Sequence, residues 1–255
     1  MKTFDWKNII STDIFVLKIV GLWPKNNVFK LNLYSIYTFS INIFVNGHNF
    51  FQTAFIGLIY KDLQALAAII FVLLTDWLET LKVCYFVRNM KILKALMGEL
   101  QCAEFQPNKH QQEKLLPANT KPWTIIYYTI TILSVGTVTC WSIFPIVDGS
   151  YQEFRLPFFA WYPYNTKVAP MYQITYLYQV FSIWFLAISN VNMDTFLAAL
   201  MTFVSSQCDI LCDNLRNVSS DDFNRKMVAC IKHHKKIVRY CFECLVKEFG
   251  VISIS

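Results

Sequence analysis

Residues 31–60 form a run of thirty without a single Lys, Arg, Asp or Glu, and three more long apolar runs follow. The run at 63–87 is interrupted only by Asp76, Glu79 and Lys82, the next is 123–147, and the last opens at Met171 and stays apolar past Phe203. A helix crossing the hydrocarbon core of a bilayer needs about 20 apolar residues in succession. Composition agrees: 16% of the chain is charged, where a soluble domain carries about 25%. These runs predict an all-α, polytopic membrane protein.

The N-terminus does not read as a cleavable signal, because Lys2, Asp5, Lys7, Asp13 and Lys18 are mixed into it and no small-residue cleavage site follows. Ile10, Ile14, Leu17 and Leu22 suggest instead a short amphipathic segment at the interface, ended by Gly21 and Pro24. Charge sets the orientation. With the N-terminus inside, the inner segments hold nineteen Lys and Arg, the outer ones three (Lys61, Arg155 and Lys167), and Lys82 lies within a span. That imbalance predicts a cytoplasmic N-terminus, and it gives the net charge of +6 no bearing on nucleic acid.

The expected layout is a cytoplasmic 1–30, spans at 31–60 and 63–87, a cytoplasmic segment at 88–122, a third span at 123–147, an extracellular loop at 148–170, and a fourth helix at 171–216. A cytoplasmic helix then runs from 223 towards 255, where a further apolar run begins at FGVISIS. Within 88–122, Ile92, Leu93, Leu96, Met97 and Leu100 share one helical face, and the part around Pro107 and Pro117 reads as loop. From Met171 to Phe249 there is neither Gly nor Pro. A single helix over 171–216 would span about 69 Å, so it must leave the bilayer, and past Ala199 its pattern turns amphipathic. Residues 217–222 form a polar break.

Cysteine and histidine were weighed as chemistry. Cys241, Cys244, His233 and His234 have no tight turn to gather them with Cys208 and Cys212, so no metal or other cofactor is expected. No cysteine falls in an outer loop, which leaves no extracellular disulfide to expect. The one glycosylation sequon, Asn217-Val218-Ser219, lies on the inner side by the charge count. Converging catalytic groups and a phosphate-binding glycine loop are both wanting, which argues against an enzyme. Asp76, Glu79 and Lys82 would suit a transporter, but transporters favour repeated halves and broken helices, and the Gly- and Pro-free fourth helix opposes that. The same three residues can equally pair and orient their helix.

The chain resembles the insect odorant receptor family along its length: in LKIVGLWP near the start, LPFFAWYPYN before the fourth span, MYQITYLYQVF and NMDTFLAALMTFVSSQCDILCDNLRN within it, and CIKHHKKIV after it. The resemblance implies a seven-helix fold with a cytoplasmic N-terminus, four of whose membrane helices are present. It implies an odorant-binding subunit in the plasma membrane of sensory neurons that assembles with an obligate co-receptor into an odorant-gated cation channel. The short break at 217–222, where the co-receptor carries a long insertion, fits the odorant-binding subunit. Against the family pattern the chain stops early, so the expectation is an incomplete receptor lacking the pore-lining seventh helix.

For small, volatile, mostly apolar ligands the expected site lies between the outer halves of the second, third and fourth helices. Val72, Leu73 and Asp76 come from the second, Thr137, Cys140, Trp141 and Phe144 from the third, and Tyr176, Gln179, Val180 and Ile183 from the fourth. Ile69, Gly136 and Tyr172 are neighbours of the same kind. The aromatic loop, through Phe159, Trp161 and Tyr162, would cover it as a lid, while composition alone allows the same rings to anchor in the lipid interface.

Overall fold

The computed structural model describes residues 6–24, 33–59, 63–107, 110–218 and 222–249. Part of the polar break, at 219–221, and most of FGVISIS lie outside these residues. Among the described residues every regular element is a helix: α1 (Lys7–Ile19), α2 (Leu33–Ile59), α3 (Leu63–Arg88), α4 (Met90–Glu99), α5 (His110–Val147), α6 (Met171–Arg216) and α7 (Phe223–Phe249), with short 3-10 turns at Ala103–Phe105 and Ser150–Glu153. The all-α expectation therefore holds.

One expectation is corrected. The stretch around Pro117 is helical, because α5 begins at His110. Proline's fixed φ is a helical one, so Pro117 deletes a single backbone hydrogen bond without forbidding the helix. The apolar sequence that follows is long enough to carry the element through that loss.

The chain divides into two compact units. The first comprises residues 1–18, 85–129 and 192–255. Its core is aromatic: Trp6 meets Phe203 edge-on at 4.8 Å between ring centres, and Phe105 meets Phe203 at 5.2 Å and Tyr240 at 6.0 Å. α4 buries Met90, Leu93, Leu96 and Met97, the i, i+3, i+4 stripe of an amphipathic helix. The Ala103–Phe105 turn is fixed by polar contacts from both long helices. Gln207 of α6 donates to the Phe105 carbonyl at 3.1 Å, and its Oε1 lies 3.1 Å from His233 Nε2 of α7. Asp13 of α1 is buried and accepts a hydrogen bond from Thr195.

The second unit comprises residues 19–84 and 130–191, and its polarity is inverted relative to a soluble domain. α2 buries Thr38, His48, Asn49 and Gln52, while Phe39 is 68% exposed, Phe50 65%, Phe71 72% and Leu177 67%. Polar groups bind one another across helices, the Thr80–Asn46 bond part-buried and the Trp77–Thr53 and Lys82–Asn190 bonds at exposed positions. Thr80 donates to Asn46 Oδ1 at 2.6 Å, Trp77 Nε1 to Thr53 at 3.2 Å, and Lys82 Nζ to Asn190 Oδ1 at 2.7 Å. Large apolar side chains facing outward around polar inter-helix bonds are the arrangement a lipid solvent selects, since lipid tails give no reason to hide Leu or Phe. Two described segments, Pro122–Val147 and Met171–Arg216, are long and apolar enough to cross a bilayer.

Candidate functional site

The 148–170 segment is not a loose connection. Gln179, buried in α6, holds Phe158 by both backbone groups: the Phe158 N–H donates to Oε1 at 3.1 Å, and Nε2 donates to the Phe158 carbonyl at 2.9 Å. Nε2 also lies 3.2 Å from the Tyr162 hydroxyl. The Trp161 N–H donates to the Phe51 carbonyl at 3.0 Å, the Tyr172 hydroxyl to the Arg155 carbonyl at 2.8 Å, and Tyr164 and Thr175 share a 2.9 Å bond. A segment without regular structure satisfies its backbone through side chains of α6 and a carbonyl of α2.

That anchoring inserts Phe158 into the bundle, where it packs with Val45, Ile183 and Leu186. Its ring stacks on Trp141 at 5.8 Å with 18° between planes. Beside the pair lies a cleft of about 230 Å³, lined by Val72, Asp76, Thr137, Trp141 and Ile183, together with Phe158, Leu186 and Asn190. A second hollow of about 470 Å³ shares Trp141 and is lined by Cys140, Phe144, Pro145, Arg155, Pro157 and Phe159. Its walls are mostly apolar, with Ser150 and the Arg155 head group as the polar exceptions, and the latter sits 5.8 Å over the Phe159 ring. Asp76 is buried, and its Oδ2 has no hydrogen-bond partner among the described residues. A buried carboxylate oxygen left so is costly unless something donates to it.

Most of the residues singled out in the sequence come together here. Val72, Asp76, Thr137, Trp141 and Ile183 line the smaller cleft, and Cys140, Trp141 and Phe144 the larger. Leu73 is buried in packing, and Val180 lines neither hollow. Nor does Tyr176, whose hydroxyl donates to the Ser142 carbonyl of α5. Gln179 serves the loop rather than a cavity. Of the three rings expected in a lid, Tyr162 is buried and packs on Phe51 at 4.8 Å, whereas Phe159 and Trp161 stay 45% and 43% exposed. Phe159 stacks on Phe55 with 2° between planes. The sequence reading passed over Phe158, the ring that enters the cleft. A signal was present in Gln179, an amide inside an apolar run that needs backbone partners.

Comparison with known proteins places this geometry. The family model described as 7tm odorant receptor matches residues 62–246. The chain belongs to the odorant receptor family. It is 26% identical over 273 residues to odorant receptor Or1 of Anopheles gambiae, covering 99% of this chain and 64% of that protein, so it spans about two thirds of the relative's length. The fold resembles that of the insect olfactory receptor OR5 from Machilis hrabei solved in complex with eugenol, with a TM-score of 0.75 at 20% identity over 97% of this chain and 67% of that one. A second structure of the same OR5 receptor gives a TM-score of 0.76 at 16% identity over 95% of this chain and 65% of that one. The odorant receptor family is one of membrane receptors rather than enzymes.

Proposed function

We propose that this chain is the ligand-binding part of an odorant receptor subunit, taking small, volatile, mostly apolar molecules at Trp141. With a co-receptor it forms an odorant-gated cation channel in the plasma membrane. Supporting this reading is a buried Asp76 carboxylate oxygen that has no partner among the described residues, in a cleft whose wall joins Trp141, Phe158 and Phe71 to a few polar groups, Glu79, Thr137 and Asn190 among them. An apolar molecule bearing one hydroxyl meets both halves of that wall: its body packs on Trp141 and Phe158 and its O–H donates to Asp76. Phe159, Trp161 and Tyr162 close the hollow towards water. Gating follows if the ligand binds the open state better than the closed one, since only that difference moves the equilibrium.

Eugenol, bound by the structural relative, is a phenol, and it supplies the test. Equilibrium binding of eugenol and of its methyl ether to the purified chain is expected to favour the phenol by about tenfold, the worth of one hydrogen bond to a charged group. Asp76→Leu should erase that preference while leaving the ether's affinity near its parent value, and Trp141→Ala should weaken both. Equal affinity of phenol and ether for the parent chain would remove Asp76 from the site.

A further inference from the structure

A second cleft lies wholly in the unit that holds α7 and takes no part in the site above. It encloses about 740 Å³ between the end of α6, the first half of α7 and the Ala103–Phe105 turn. Arg225, Lys226, Lys232 and Lys236 contribute four cations from α7, against one carboxylate among the described lining residues, Glu104. Lys236 satisfies that carboxylate at 2.9 Å and also donates to Cys102 Sγ at 3.0 Å. His233 adds no charge: burial and the neighbouring Lys236 push its pKa below the ordinary 6.5.

The wall opposite the cations could have neutralised them and does not. Asp213, one residue from the cleft on α6, is turned to Gln112 Nε2 at 2.8 Å and Asn217 Nδ2 at 3.0 Å. What faces the cations instead are the amides of Asn214, on α6, and of Asn217, just past its end, whose NH₂ is held by Asp213. Gln112 occupies Asn214 Oδ1 at 2.8 Å, so Asn214 offers the cleft its NH₂. Among the described residues Arg225 and Lys232 carry no ion pair. Like charges gathered on one helix repel, and here the facing wall supplies the Asn214 amide in place of a carboxylate. The cleft is therefore built for an anion.

We propose that this cleft binds a multiply phosphorylated polyol, either as a soluble inositol polyphosphate or as the same head group on a lipid. Arg225 and Lys232 are seven residues apart, about 10 Å along the helix, which one phosphate cannot bridge and two on a ring can. Arg presents a fork to phosphate oxygens and Lys a point charge, and the amides between them suit ring hydroxyls. No Phe, Tyr or Trp is among the lining residues, and the one imidazole, His233, is buried against Phe105, so a nucleobase would find no exposed ring on which to stack.

The test uses the purified full chain in nanodiscs of neutral lipid. It is titrated with inositol hexakisphosphate, and in a separate arm placed in nanodiscs containing either phosphatidylinositol bisphosphate or enough phosphatidylserine to match its charge. Saturable binding of the soluble polyphosphate identifies a free ligand, and retention of the bisphosphate lipid alone identifies a head group; either upholds the site. Arg225→Gln with Lys232→Gln should weaken that binding by about tenfold or more, while Arg225→Lys with Lys232→Arg retains it and reports that the helix still folds. Lys167→Gln, far along the chain in the 148–170 segment, should leave it unchanged. Absence of saturable binding in both arms would overturn the proposal. So would equal retention of phosphatidylserine, or an unchanged affinity in the double Gln variant.

Discussion

A single buried carboxyl carries a pH dependence that ordinary surface acids lack. Asp13 of α1 is 1% exposed and accepts from Thr195. Burial raises its pKa from 3.8 to about 6, and the Thr195 hydrogen bond, which favours the charged form, only partly offsets that rise. The folded chain thus holds this proton more tightly than the unfolded one. Its stabilising contribution is complete below about pH 3.8 and is lost as pH rises through about 6, at most about 3 kcal/mol in all. Melting temperature in detergent should fall between pH 4 and pH 7. Asp13→Asn, which keeps an acceptor for Thr195 but cannot titrate, should flatten that slope whatever its absolute stability. A parent chain whose melting temperature rises across the same window would show that other groups outweigh Asp13.

At the scale of elements, the turn that follows α1 packs closely on α2 at a glycine. Gly21 has φ +82°, and a Cβ there would lie 3.1 Å from Thr38 Oγ1 and 3.3 Å from Thr38 Cα. The Thr38 hydroxyl donates to the Gly21 carbonyl at 2.8 Å, so the close approach is also a bond. Gly21→Ala must adopt a left-handed conformation and push against backbone, and should cost about 1–2 kcal/mol in thermal unfolding. An unchanged melting temperature would mean that this turn can relax.

The same scale explains what could be read in advance. Gly21 as the end of α1 was legible because glycine at a helix end has a local cause. The unbroken α6 was legible because a Gly- and Pro-free apolar run leaves few alternatives. The helical start of α5 was not, because Pro117 and its polar neighbours carry a loop's composition, and only the long apolar stretch that follows carries the helix through them. The site divides in the same manner. Helical spacing brought Val72, Asp76, Thr137, Trp141 and Ile183 to one wall, whereas Phe158 enters the cleft through a clamp by Gln179, twenty-one residues on. No periodicity encodes such a tertiary contact.

For the molecule as a whole, the open quantity is its orientation in the membrane. Its outward Phe and Leu side chains and inter-helix polar bonds argue for a lipid solvent, but they are indifferent to which end faces the cytoplasm. Lys and Arg are not indifferent, because they resist translocation, and nineteen lie in the segments grouped with the N-terminus against three in the others. We therefore expect residues 1–6 and 217–222 inside and the 148–170 segment outside. The chain carries its own reporters. Asn217-Val218-Ser219 is a glycosylation sequon that must stay unmodified if it faces the cytoplasm. Asn165-Thr166-Lys167 becomes one by a single change, Lys167→Thr, at a place where Asn165 is exposed and bonded only to the nearby Lys167 N–H at 2.9 Å. Expressed in insect cells, the parent should run as one unglycosylated band, and Lys167→Thr should gain a slower band that glycosidase removes. The outcome that reverses the topology is equally plain: a glycosidase-sensitive band in the parent, lost on Asn217→Gln, would put 217–222 outside and the aromatic segment, with its cleft, on the cytoplasmic side.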